Sequence, residues 1–127
     1  MRRIVSVLFL LSPFLLGIPS AQGQVKFFET HYDNGQPETI WFDLGHDRLQ
    51  VLRFHENGLL KELGHWDNGK MHGAWALWAP NGRKIGEAEY LHGTKDGLWR
   101  TWDTQGNPQY ELWYERNELV RTASLEP

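Results

Sequence analysis

Gly73-Ala74-Trp75-Ala76-Leu77-Trp78 returns as Gly97-Leu98-Trp99-Arg100-Thr101-Trp102, a G-x-W-x-x-W cassette repeated at an offset of 24 residues. A period that short accommodates one small structural unit stacked on copies of itself, and this settles the fold class before composition is considered. Other positions follow in register. Asn81-Gly82 meets Gln105-Gly106, Glu87 meets Glu111, Trp66 meets Tyr90 and Tyr114, and Gly45, Gly69 and Gly93 form a column that ends at Asn117. Phe54 precedes Trp78 by the same step, and Phe42 precedes Trp66. Asn34-Gly35 lies 23 residues before Asn57-Gly58, so one residue has been lost or gained near the first unit. About four units fit between His31 and Glu118.

Residues 1–23 stand outside the repeat and have the order of a secretory signal: Arg2-Arg3, an apolar run from Ile4 to Ile18, then small residues. The run falls short of the ~20 apolar residues a bilayer span needs, and Pro13 interrupts it. Ala21 and Gly23 at minus three and minus one place cleavage before Gln24, with cleavage after Ala21 as the alternative. The expected location is therefore export, periplasmic or secreted, with residues 24–122 forming the repeat domain, 123–127 a tail, and no integral membrane span in the mature form. The chain contains no cysteine, which excludes a disulfide framework, a lipidated cysteine and any Cys-based metal site. Without Arg2 and Arg3, eleven basic side chains face sixteen acidic ones, so the mature form is acidic. Nucleic acid and anionic membrane surfaces reward a clustered basic field and are not expected partners.

Each unit holds two short runs of period-two character bounded by turn residues, the sequence form of a β-hairpin. No stretch keeps apolar residues at i, i+3, i+4 and i+7 for three turns. The predicted fold is all-β: a curled single-layer antiparallel meander of stacked β-hairpins with about ten strands. They run roughly over Lys26 to Tyr32, Thr39 to Phe42, Arg48 to Phe54, Leu60 to Trp66, Ala74 to Trp78, Lys84 to Tyr90, Leu98 to Trp102, Gln109 to Tyr114 and Glu118 to Thr122, with a split in one of these nine giving the tenth. Ala79-Pro80-Asn81-Gly82 reads as a type I turn closed by a glycine bulge, and that turn predicts the pairs Trp78 with Lys84, Leu77 with Ile85, Ala76 with Gly86, Trp75 with Glu87 and Ala74 with Ala88. Repetition sets Phe54, Trp78 and Trp102 in one column and Val51, Trp75 and Trp99 in another, on opposite faces.

With the units aligned, the motif N-G-x-x-x-x-E-x-x-Y-x-x-G-x-x-x-G-x-W-x-x-W is carried by Asn81, Gly82, Glu87, Tyr90, Gly93, Gly97, Trp99 and Trp102. It resembles the MORN-repeat variant of bacterial proteins, many of them known as YwqK-like antitoxins, over about His31 to Glu118. The resemblance implies a flat or curled stack of β-hairpins that binds another protein, a toxin in the antitoxins, while related MORN repeats are linked to scaffolding and to membrane lipids. The first unit departs from the motif, with His31 for an aromatic and Ile40 for the Glu, and Leu63 replaces the Glu of the second unit.

Chemistry is sparse. Ser124 is the one serine after residue 23, so a serine or cysteine hydrolase is excluded. The six histidines, at 31, 46, 55, 65, 72 and 92, share no repeat column and no H-E-x-x-H spacing, so no metal site and no cofactor are expected. Glu87 and Glu111 occupy a consensus column and read as braces of the repeat, bonded to backbone or tyrosine groups, rather than as an acid and base pair, which needs unlike environments. Phe54, Trp66, Trp75, Trp78, Glu87, Tyr90, Trp99, Trp102, Glu111 and Tyr114 are therefore assigned to the repeat itself. Recognition is expected from residues that vary between units: His46-Asp47-Arg48, Lys70-Met71-His72 and Thr94-Lys95-Asp96 in equivalent turns, joined by the off-column and more exposed Trp41 and Trp113. The expected function is non-catalytic protein binding, including toxin neutralisation or immunity. Carbohydrate or cell-wall binding, with Trp75 beside Glu87 and Trp99 beside Glu111 as subsites, is the alternative, and a passive structural envelope role is the third.

Overall fold

The computed structural model describes residues 25–125; the expected signal segment, 1–23, lies outside them. The described residues form one open antiparallel sheet of eleven strands in meander order. The strands are β1 (Val25–His31), β2 (Pro37–Gly45), β3 (Arg48–Phe54), β4 (Leu60–Asp67), β5 (Lys70–Met71), β6 (Gly73–Trp78), β7 (Lys84–Leu91), β8 (Thr94–Lys95), β9 (Gly97–Trp102), β10 (Pro108–Glu115) and β11 (Glu118–Ser124). Nine follow one another across the sheet, while β5 pairs with β4 and β8 with β7. Among the described residues no helix is long and apolar enough to cross a membrane.

The two short strands are absent from the sequence-based strand set, and their origin is a bulge. His72 interrupts the arm that would otherwise join β5 to β6, and Asp96 interrupts β8 and β9 at the position 24 residues on. Gly73 and Gly97 follow with φ of 79° and 100°, a left-handed conformation that glycine adopts without steric cost. The ladder resumes across the break, with His72 N–H donating to His65 O at 3.0 Å and Asp96 N–H to Glu89 O at 3.2 Å.

Each edge of the sheet uses its own turn. On one edge, Gly82 N–H donates to Ala79 O and Ala79 N–H to Arg83 O, both at 2.9 Å, and Gly82 has a φ of 85°. This is the expected type I turn with a glycine bulge, repeated after Tyr32, His55 and Asp103. Asparagine ties these turns together: Asn34, Asn57 and Asn81 each accept the N–H two residues on and donate Nδ2 to Glu56 O, Pro80 O and Thr104 O of the next unit. On the other edge the turns carry consecutive left-handed residues, His46-Asp47, Asn68-Gly69, His92-Gly93 and Arg116-Asn117, the requirement of a type I′ hairpin.

The predicted cross-strand register is corrected at all but one pair. Trp78 does pair with Lys84, but Leu77 pairs with Gly86, Ala76 with Glu87, Trp75 with Ala88 and Ala74 with Glu89. Ile85 is an extra residue, and the same slip recurs at Glu38, Lys61 and Gln109. One inserted residue moves every later side chain of that strand to the other face. Trp75 therefore shares a face with Ala88, and Glu87 points away from it.

Val51 (0% exposed), Leu52, Trp75 (9%) and Ala79 form the buried apolar set. Trp75 owes its burial to Gly64 on the neighbouring strand: a β-carbon there would lie 2.4 Å from the indole ring.

Candidate functional site

The expected columns of Trp75 with Trp99 and of Trp66 with Tyr90 and Tyr114 merge into a single row on one face. Trp41, Trp66, Trp75, Tyr90, Trp99 and Tyr114 follow one another with ring centroids 6.2, 6.0, 5.9, 5.2 and 5.1 Å apart at tilted or edge-on angles. Such geometry contributes about 0.5–1.5 kcal/mol per pair beyond the area buried, and a single-layer sheet depends on it. Trp41 is the end of this row and is half-buried rather than projecting. Trp113 is half-buried on the opposite face, with the Arg121 guanidinium 4.3 Å from its ring centroid.

Midway along the row the surface opens into a cavity of about 360 Å³ whose lining includes Met71, Trp75, Leu77, Ala88, Tyr90 and Trp99, with Glu62, Arg100 and Thr101 as polar members. Leu77 is 44% exposed, unusual for a leucine on the packed face of a sheet. Glu62 stands on the aromatic face because it pairs with Leu77, and Arg53 Nη1 holds its carboxylate at 3.2 Å. Burial pushes the Tyr90 hydroxyl above its ordinary pKa, with the Glu62 carboxylate and Tyr114 adding to the effect. Tyr90 is thus a neutral donor throughout the physiological range. Trp66 Nε1, Trp75 Nε1 and Thr101 Oγ1 are buried here without a protein hydrogen-bond partner.

The opposite face is charged. Arg100 sits between Glu111, with Nε to Oε1 at 3.2 Å, and Glu87, with Nη1 to Oε2 at 3.7 Å, while Lys84 Nζ reaches Glu87 Oε1 at 2.9 Å. Glu87 and Glu111 bond to these cations rather than to the expected backbone or tyrosine groups. Exposed pairs of this kind contribute about 0–1 kcal/mol each. The expected sugar subsite of Trp75 beside Glu87 does not form as a cross-strand pair, because the bulge at Ile85 sets Ala88 opposite Trp75, although Glu87 also borders the cavity.

The three variable turn triplets do come together along the type I′ edge. Asn68 N–H donates to Asp47 O, Gly93 N–H to Met71 O and Asn117 N–H to Lys95 O, stitching each turn to the next. His46, Asp47 and Arg48 are exposed beside Asn68 and Gly69. Lys70 is exposed, whereas Met71 turns into the aromatic cavity. Lys95 lays its ammonium over Trp99 and Tyr114, 4.8 and 4.9 Å from the ring centroids, and Thr94 Oγ1 donates to Leu91 O. Asp96 Oδ2 accepts the Arg116 N–H at 3.3 Å, and His72 Nδ1 accepts the His92 N–H at 3.2 Å in the preceding unit.

Glu62, Leu77 and Thr101 are the cavity residues that sequence reasoning missed. Their signal is faint: Glu62 lies one position off the glutamate column, and in a strand an offset of one residue is a change of face.

No protein-family model matches the chain, and no curated protein matches it. Among solved structures it is similar to a point mutant of S. aureus TarM in complex with Fondaparinux, alpha-GlcNAc-glycerol and UDP, at 10% identity and a TM-score of 0.48 over 80% of this chain and 20% of that one. It is also similar to a second TarM structure, at 9% identity and a TM-score of 0.45, covering 76% of this chain and 22% of that one. The chain thus spans about a fifth of the length of these proteins.

Proposed function

We propose that the chain is an exported, non-catalytic interaction domain that holds a protein partner on its aromatic face. The observation that supports this reading is the open cavity among Met71, Trp75, Leu77, Tyr90 and Trp99, whose lining is mostly carbon. Contact centres of protein interfaces are built from such aromatic and methionine-rich surfaces, with polar groups confined to the margin. The acidic groups at its border, Glu62 and Glu87, are already paired with Arg53 and Arg100, so the best-fitting occupant is an apolar side chain. The MORN-variant resemblance points to the same class of function, with toxin neutralisation or immunity in the exported compartment as its specific form. The lack of cysteine, and of any serine but Ser124 among the described residues, accords with a binding role.

Carbohydrate binding is the second reading, favoured by the Tyr90 and Trp99 rings that line the open cavity. It is weaker because a saccharide needs several convergent hydrogen-bonding groups, and Trp66 Nε1, Trp75 Nε1 and Thr101 Oγ1 are sealed from solvent.

Affinity capture from envelope and secreted fractions of the producing cells tests the proposal, using the chain and its Leu77→Glu variant. One protein co-eluting stoichiometrically with the chain and lost with the variant, at unchanged circular dichroism, is the expected result. Recovery of the same protein by both, or of none, would overturn it.

A further inference from the structure

We infer that Asp67, His72 and His92 form a binding site for one divalent transition-metal ion at the junction of two successive units. The site is independent of the aromatic cavity and of any partner held there. Three features of the fold assemble it. The bulge between β5 and β6 turns the His72 side chain toward the following turn, where Nδ1 meets the His92 N–H at 3.2 Å. The type I′ turn sets His92 in a left-handed conformation, φ 45°, which brings its ring against that of His72 with centroids 4.5 Å apart and planes inclined by 31°. Asp67 ends β4 beside them, and one ligand atom from each of the three residues lies within 4.8 Å of the others.

The donor set fits a metal in chemistry as well as in position. Bonds of about 2.0–2.1 Å in tetrahedral geometry require donors somewhat closer together than this, and the exposed His92 ring can close the difference by rotating about its side-chain bonds. His72 Nδ1 accepts the His92 N–H at 3.2 Å, and the imidazole keeps a second ring nitrogen that can serve as a ligand. Asn68 Nδ2 donates to Asp67 Oδ1 at 2.7 Å and fixes the carboxylate, the outer-shell support that metal ligands ordinarily receive. Two imidazoles and one carboxylate select zinc, nickel or copper over magnesium or calcium, and three protein ligands leave a position open to water or to a ligand group. Lys70, whose stem packs near Gly93, brings a cation to the same edge on a flexible side chain.

The repeat does not generate this set by itself. One unit later the equivalent positions hold Leu91, Asp96 and Arg116, and one unit earlier Asp43, Arg48 and Asn68. The backbone staple of His72 is reproduced by Asp96 and needs no imidazole. Among the described residues, three metal-competent side chains coincide at this one junction.

Calorimetric titration of the chelator-treated chain with zinc chloride at neutral pH, paired with ring-nitrogen NMR of its histidines, tests the site. His92→Asn retains a residue tolerant of positive φ, Asp67→Asn retains the shape, and His46→Asn is a control in another turn of the same edge. The expected result is one equivalent of zinc, ring shifts confined to His72 and His92, affinity lowered ~tenfold or more in both site variants and unchanged in the control, and no competition by magnesium. No saturable uptake, uptake undiminished in His92→Asn, or shifts at His31, His46, His55 or His65 instead would overturn it. Should a variant fail to fold, the ring shifts of the unaltered chain decide alone.

Discussion

Two successive junctions of this sheet share a backbone and differ in their side chains. At the first, Met71 lies against the aromatic cavity, Trp75 is sunk onto Gly64 with its Nε1 unbonded, and His72 staples the next turn. At the second, Lys95 replaces Met71 and lays its ammonium over Trp99 and Tyr114, Trp99 Nε1 donates to Glu89 O at 3.0 Å, and Asp96 is the staple. The second junction is a closed structural solution in which every group named has a partner. The first leaves apolar surface open and two imidazoles beside a carboxylate. Repeat architecture assigns stability to the positions that recur and leaves the others free, and here the freedom is concentrated at one junction.

Removing the central ring of each junction should produce the largest contrast. Trp75→Ala deletes a buried indole and is expected to cost about 3–5 kcal/mol, and Trp99→Ala, whose ring is only half-buried, distinctly less, in paired urea denaturations. Gly64→Ala should come next, at about 1–3 kcal/mol, because its β-carbon collides with the Trp75 ring. The same step along the repeat already carries Ala88, so this substitution breaks the first junction alone.

The turn ladder should respond more weakly. Asn81→Ala removes one bond within its own turn and one to Thr104 O, and a loss of about 1 kcal/mol is expected. Gln105→Ala, at the equivalent position but without those side-chain bonds, should leave the denaturation midpoint nearly unchanged.

The smallest effect concerns the last turn, where Asp103 does the work of the missing asparagine by accepting the N–H groups of Gln105 and Asn107 and the Asn107 side chain. Those bonds, the Asn107 side chain foremost, hold its carboxyl below the ordinary 3.8. The folded state therefore favours the charged form. This contribution is present above the unfolded value and is lost as pH falls through the lower, folded one. A carboxyl-carbon NMR titration should place the Asp103 midpoint below 3.8, and Asp103→Asn should remove that part of the acid sensitivity.

The fold class was legible because the period, the Asn-Gly turns and the alternating aromatics all agree with one unit. The register was not legible, since the extra residues Glu38, Lys61, Ile85 and Gln109 have no turn chemistry to mark them, and a slip of one residue inverts which side chains share a face. That inversion hid the cavity, because Trp75 read as a partner of Glu87. The His72 and His92 pair escaped for another reason. Their separation of 20 residues is not the period, and only the geometry of a bulge meeting a turn brings them together.

The central claim is that the aromatic face, at the first junction, is where a partner is held. Placing a photo-crosslinking amino acid at position 77, on that face, or at position 74, exposed on the opposite one, addresses it directly in the producing cells. The account predicts a single protein adduct from position 77 and none from position 74. Adducts from position 74 alone, or equally from both, would contradict it.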